Sequence, residues 1–292
     1  MLTGSKTFIM NNNLHPCLWF DGNAKTAADF YCTLFPNSTI TTDTPMVVNF
    51  ELSGQKFMGL NGGANFKFNP AVSFMVTCEA DEEINELWKK LCDGGMVMMA
   101  LDKYDWSERY GFVQDKFGVA WQIIKAKYND VNQKITPVFL FVGKNYGRAA
   151  AAVNFYTTIF PASAINGILL YQQNEGEHQA GKVKHSQFIL DEKVFMAMDG
   201  YGNHEFDFNE AISFVVACKD QEEIDNYWNA LTAGGGQESM CGWLKDQFGV
   251  SWQIIPAKLG QLMDSTEKAK RVMPVLMQMK KLNIAALEKA AG

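Results

Sequence analysis

The stretch Asp115–Ile124 reads DKFGVAWQII, and Asp246–Ile255 reads DQFGVSWQII. Working outward from these two sentences, almost the whole chain repeats. CLWFDGNAKTAADFYCTLFPNSTI, from Cys17, is answered by VFLFVGKNYGRAAAAVNFYTTIFPASAI, from Val138. FKFNPAVSFMVTC, from Phe66, is answered by FDFNEAISFVVAC, from Phe206. A repeat this long is no solenoid unit; it implies two whole domains. The first is expected over 14–127 and the second over 135–258. The polar stretch 128–134 joins them, and 259–292 forms a C-terminal tail found only after the second copy.

Each copy has a finer rhythm. A short apolar run ends at Phe20, and a helical pattern follows with Ala27, Phe30, Tyr31 and Leu34 on one face. Pro36 stops it. Two strand-like runs, VVNFELSG and QKFMGLNGG, come next, and then the rhythm restarts. AVSFMVTC reads as a strand. DEEINELWKKLCDGG reads as a helix, capped by Asp81 and ended by Gly94 and Gly95. MVMMALDKYDW, RYGFVQDK and VAWQIIKA supply further strands. The pattern is strand–helix–strand–strand–strand, four times over. In the tail, Val275, Leu276, Met279 and Leu282 predict an amphipathic helix packed on a domain.

At 292 residues the chain lies near the size at which one core divides into two. Its net charge is −6, without a block of Lys and Arg, which argues against nucleic acid and membrane as partners. The first thirteen residues contain no long apolar run, so neither a signal peptide nor a spanning helix is expected there. Six cysteines without a CxxC pair suggest reduced thiols and a cytoplasmic location.

Paired βαβββ modules resemble those of the vicinal oxygen chelate superfamily, which includes glyoxalase I, extradiol dioxygenases and bleomycin resistance proteins. Within it the chain is similar to the PhnB-like group labelled 3-demethylubiquinone-9 3-methyltransferase. The motifs that carry the likeness are PCLWFDGNAKTAADFY, FMGLNGG, NPAVSFMVTC and DKFGVAWQII in the first copy. In the second they are FNEAISFVVAC, CGWLKDQFGVSWQIIP and the tail RVMPVLMQMKKLNIAALEKA. The resemblance implies an α+β fold in which paired modules curl into half-open cups that bind ligand. One chain then forms an intramolecular pseudo-dimer.

Metal-using members of the superfamily draw ligands from the first and last strand of each module. Carried over residue by residue, those positions fall on His15, Met58, Ala71 and Gln122 in the first copy. In the second they fall on Thr136, Met196, Ala211 and Gln253. A divalent first-row ion wants three or four N or O donors, some of them anionic or imidazole. These sets offer one imidazole, two amides and two thioethers, so no metal and no other cofactor is expected. A divalent ion held by His15 and Gln122, serving a lyase, isomerase or dioxygenase, is the alternative. Methyl transfer, as the label says, is disfavoured. An S-adenosylmethionine site needs a Gly-rich turn between a strand and a helix, and the glycines at 62–63, 94–95 and 234–236 follow strands or end helices instead.

Strand alternation assigns the faces. His15, Cys17 and Trp19 share one, as do Ser73 and Met75, and as do Ala120, Gln122 and Ile124. The expected function is binding of a small apolar or aromatic molecule in the cup of the first copy. Its lining would be His15, Cys17, Trp19, Met58, Asn61, Ser73, Met75 and Gln122. No catalytic residue is assigned. Cys17, two residues from His15, and Cys241 are candidate nucleophiles, with inert thiols the favoured reading. His178 and His204 are expected in loops, and His185 at the start of a strand.

Overall fold

The computed structural model describes residues 13–173, 175 and 179–292. The N-terminal dozen and His178 lie outside them. The first module runs β1 (Leu14–Phe20), α1 (Ala24–Leu34), β2 (Thr39–Asp43), β3 (Val47–Leu52) and β4 (Gln55–Asn61). The second runs β5 (Val72–Cys78), α2 (Asp81–Cys92), β6 (Met96–Tyr104), β7 (Ser107–Gln114) and β8 (Ala120–Lys125). A one-turn helix, α3 (Tyr128–Val131), occupies the polar linker. The third module is β9 (Ile135–Phe141), α4 (Ala149–Ile159), β10 (Ala164–Leu170), β11 (Val183–Leu190) and β12 (Lys193–Asp199). The fourth is β13 (Ile212–Cys218), α5 (Gln221–Thr232), β14 (Gln237–Glu238), β15 (Trp243–Lys245) and β16 (Ser251–Pro256). The tail folds as α6 (Leu259–Leu262), α7 (Thr266–Leu276) and α8 (Ile284–Ala291).

These strands form two eight-stranded sheets. The first has the order β14-β15-β16-β13-β1-β4-β3-β2, and the second β10-β11-β12-β9-β5-β8-β7-β6. Module one therefore shares a sheet with module four, through the antiparallel pair β1–β13, and module two with module three, through β5–β9. Each sheet takes one half from each sequence copy. The first copy has no sheet, and hence no cup, of its own.

The repeated FxFNxAxSF segments are where the chain crosses between sheets. The Asn69 side chain donates to the Asp207 carbonyl and accepts from Ala71 N, while Asn209 donates to the Lys67 carbonyl and accepts from Ala211 N. The two crossing segments thus clasp each other. Ala71 and Ala211 in turn accept from Leu140 N and Trp19 N, which extends each junction by one hydrogen bond.

The repeated DxFGVxW turn is built around a buried carboxylate. Asp115 Oδ1 accepts from Phe117 N (2.8 Å) and Val119 N (3.0 Å), and Oδ2 from Tyr31 OH and Trp121 Nε1 (2.8 Å each). Asp246 repeats all four contacts with Phe248, Val250, Tyr156 and Trp252. Gly118 and Gly249 take φ values of +95° and +92°, a region that side chains disfavour. The sentence is therefore a structural device that ties helix, turn and closing strand together. Burial raises the pKa of both carboxyls, and the four donors each accepts oppose that shift.

The main core lies between the sheets. Phe57 of the first packs on Phe74 of the second (5.5 Å between ring centres), and Phe139 of the second on Phe214 of the first (5.3 Å). Leu14, Leu18, Phe20, Trp121, Ile123, Trp252 and Ile254 all join this core, as strand alternation predicts.

Several expectations are corrected. The strand β2, at the edge of the first sheet, was not picked out: its sequence TITTD is short and nearly fully exposed, so it lacks an apolar rhythm. Asp81 opens α2 without capping it; its carboxylate instead pairs with Arg109 (2.9 Å) and Lys125 (2.7 Å). In the tail, α7 ends at Leu276, and Met279 and Leu282 lie in the link to α8, where they still reach the same small apolar cluster. That cluster touches Cys241 and Ile255, so the tail packs beside the fourth module.

Candidate functional site

The residues expected to line one cup divide between the sheets. On the first sheet, His15, Cys17 and Trp19 alternate with core residues along β1, and Cys17 lies beside Met58. Their partners come from the second copy. His15 faces Val215 and Cys17 faces Ser213 across the β1–β13 junction, and Val215 lies beside Gln253. On the second sheet, Met75 lies beside Gln122 and faces Thr136, and Val138 lies beside Met196. His15 and Gln122 therefore stand on different sheets that meet through their core faces. They cannot ligate one ion, and a cup combining His15, Ser73, Met75 and Gln122 does not exist. The expected single lining is corrected to two half-sets.

Asn61 leaves both sets. Its Oδ1 accepts from Ala24 N at the start of α1 (3.0 Å), and its Nδ2 donates to the Pro45 carbonyl (2.9 Å). It serves as a cap, as does its counterpart Asp199, which accepts from Gly147, Ala149 and Val183.

On the first sheet Gln253 Nε2 donates to Ser213 Oγ (2.9 Å). Burial pushes the Cys17 thiol up to about 12, with hydrogen bonds to Gln253 and Ser213 pulling the other way. At neutral pH it is a thiol and no nucleophile. Asn49, opposite Met58, has a buried Oδ1 without a hydrogen-bond partner among the described residues. Trp19 packs edge-on against Phe66 (5.0 Å) and Trp243 (5.8 Å) and donates Nε1–H to the Gly63 carbonyl (2.7 Å). Its indole lies on Gly62, where a Cβ would come within 2.2 Å of the ring, so FMGLNGG needs glycine there. His15 is buried and also borders a crevice of about 20 Å³ with Lys56 and Lys193, room for a water at most.

The second sheet is different. Tyr110 OH donates to Gln122 Oε1 and Gln122 Nε2 to Ser73 Oγ, both at 2.8 Å, so the amide is satisfied by its neighbours. Around it Met75, Tyr110, Phe112, Ala120, Val138, Val194 and Met196 form a separate apolar cluster. The first-sheet residues Cys17 and Val215, equally buried, belong to none of the hydrophobic clusters. Thr136, at the position matching His15, is fully buried, and its Oγ1 lacks a partner among the described residues.

Of the positions that the resemblance matches to metal ligands, the first sheet carries His15, Met58, Ala211 and Gln253, and the second Thr136, Met196, Ala71 and Gln122. Among the described residues no three His, Cys, Asp or Glu side chains gather into a group that could hold an ion. One imidazole beside one neutral amide does not fit a divalent first-row ion.

The family described as 3-demethylubiquinone-9 3-methyltransferase matches residues 12–124 and again 133–255. The chain belongs to this family. A PhnB protein from Bacillus cereus is 37% identical over 38% of this chain and 96% of its own length, with a TM-score of 0.36. Glyoxalase I from Zea mays is 11% identical but covers 84% of this chain and 92% of its own, with a TM-score of 0.53. That likeness shows the fold: paired βαβββ modules arranged as in glyoxalase I, with the two-copy architecture in one chain. A search of curated proteins finds no match.

Within this PhnB-type frame the sheet faces turned from the core are the two cups. The sequence reading does not single out Asn49 or Trp243 as facing the first, and it sets Ser213 and Gln253 together in a cup of the second copy, whereas both stand on the first sheet beside β1. Gln253 and Ser213 were visible as cup-facing residues, but strand alternation does not say which modules pair. His185 and His204 stand apart from both half-sets of matched positions. His185 lies within β11, where burial lowers its pKa, and His204 contacts the Tyr201 carbonyl in a loop.

Proposed function

We propose that the cup of the first sheet, shared by modules one and four, binds a small, largely apolar or aromatic molecule without a divalent ion. The observation that carries this reading is the convergence on one sheet face of His15, Cys17, Trp19, Met58, Asn49 and Gln253, beside the aromatic group Trp19, Phe66 and Trp243. Apolar lining with a few orienting polar groups is the usual chemistry of small-molecule sites. Asn49 Oδ1 supplies a buried acceptor awaiting a donor, and the rings supply flat apolar surface. The thiol of Cys17 contributes volume and no nucleophile. The second cup, filled by its own methionine-rich cluster, serves as its structural twin.

A thermal-shift screen of small aromatic compounds, with elemental analysis of the purified protein alongside, tests this. A ligand present at a hundred times its Kd stabilises by about 2.7 kcal/mol. The shift is expected for the native chain and for Gln122→Leu, and is expected to disappear in Gln253→Leu. A stoichiometric metal ion lost in His15→Ala would overturn the metal-free reading. A shift with S-adenosylmethionine would replace it by methyl transfer.

A further inference from the structure

We infer that the chain self-associates through β10, the outer strand of the second sheet, pairing antiparallel with the same strand of a second copy. The repeat provides an internal control. β10 and β2 occupy the same place in their modules: each ends its sheet, and each pairs antiparallel with the next strand through a register shift at the matching point. Their sequences have diverged. β2 reads TITTD, three hydroxyls and a carboxylate, as an edge in water should. β10 reads AINGILL, seven residues without a charge or a proline, and it exposes Ile165 (40%), Leu169 (56%) and Leu170 (37%).

The other two edges carry charges. β6 opens on the exposed Met96 (57%) and Val97 (49%) but carries Asp102 and Lys103 further along, and β14 is two residues long and contains Glu238. Among the described edge strands only β10 is uncharged along its whole length, with aliphatic side chains flanking its outward backbone. Such an edge is completed by another strand. A second copy fits it because two-fold pairing sets an uncharged strand against itself, so no like charges meet, and the exposed aliphatics of each copy cover those of the other. A single strand pair lies below the standard interface size of about 1,200 Å² and implies a weak dimer.

Sedimentation velocity over a concentration series tests the inference. The native chain is expected to shift from monomer towards dimer as concentration rises. The double variant Ile165→Lys/Leu169→Lys is expected to stay monomeric while keeping the native circular dichroism and melting temperature, because both positions are exposed. Thr42→Lys, on the twin edge, is expected to dimerise like the native chain. A native chain that stays monomeric to its solubility limit overturns the inference, as does a dimer that survives the double variant. A dimer lost equally in Thr42→Lys would place the interface elsewhere and overturn it too.

Discussion

The two cups of this chain descend from the same module, yet they satisfy their central glutamine differently. In the second, Gln122 bridges Tyr110 and Ser73 and is enclosed by apolar side chains. In the first, Gln253 keeps the serine contact, but Trp243 stands where the second cup has Phe112, as their shared pairing with the glutamines shows. Cys241, two residues earlier as Tyr110 is from Phe112, is turned away with φ of +61° and contacts Met277 of the tail. The phenol that closes the polar chain in one cup is thus missing beside the glutamine of the other, where Ser213 and the Cys17 thiol are the side chains bonded to Gln253.

What the cups share should be equally costly to lose in both. Asp115→Asn and Asp246→Asn each turn an amide towards a tyrosine hydroxyl and a tryptophan N–H that need an acceptor. Two hydrogen bonds to a charged group, lost in a buried site, amount to about 3–5 kcal/mol. Urea melts should show similar losses for the two variants, and a loss in only one would mean that the sheets are not held alike. Both native carboxyls have raised folded pKa values. The folded state therefore takes up protons before the unfolded one, and their contribution to stability grows as pH falls through the folded pKa. The gap between native and variant should widen on mild acidification. Asp81, whose pKa is lowered chiefly by its hydrogen bonds to Lys125 and Arg109, acts in the opposite sense: its contribution is lost as pH falls through the folded pKa.

The glutamines should separate the cups. Gln122→Leu strands Tyr110 OH and removes the partner of Ser73, at a cost of about 2–3 kcal/mol. Gln253→Leu loses the bond to Ser213 and the weaker one to the Cys17 thiol and should cost only about 1–2 kcal/mol. Thermal denaturation distinguishes the two, and equal losses would dissolve the contrast between the two glutamines.

The four-module plan and the strands and helices with a core face were legible because each such face repeats its apolar period, as in Leu14, Leu18 and Phe20 of β1, whereas the exposed β2 was not. Module pairing was not. Gln122 and Gln253 sit in nearly identical sentences, and nothing local to either states whether its neighbour is His15 or Thr136. That is decided by the ten-odd residues after Asn61 and Asp199, whose clasp through Asn69 and Asn209 sends each half of a copy to a different sheet. The role of Asp115 was hidden for a related reason: two of its four donors, Phe117 and Val119, are local, but Tyr31 lies far back in α1. Asn61 was misread because a cap and a cup-lining residue look alike at a strand end.

Trp19 offers a gentler test. Trp19→Leu gives the first cup the residue that the second has at the matching place, Leu140. It removes the edge contacts to Phe66 and Trp243 and the bond to Gly63. Ligand binding should fall roughly tenfold, about the effect of 1.4 kcal/mol, as read by titration against the screened compound. Undiminished binding would shift attention to the second cup.

The smallest expected effect concerns Cys17. With its pKa near 12, roughly one thiol in ten thousand is ionised at pH 8. Mass-spectrometric mapping of slow alkylation should therefore label the half-buried Cys32, Cys92 and Cys241 first and Cys17 only on unfolding. Cys17→Ser should leave ligand affinity within about twofold, because a hydroxyl keeps the hydrogen bonds to Gln253 and Ser213. Early labelling of Cys17 would mean that His15, two residues away on the same face, activates it. The first cup would then be a reaction centre where the second is only a core, and the difference between the twins would be chemical as well as a matter of filling.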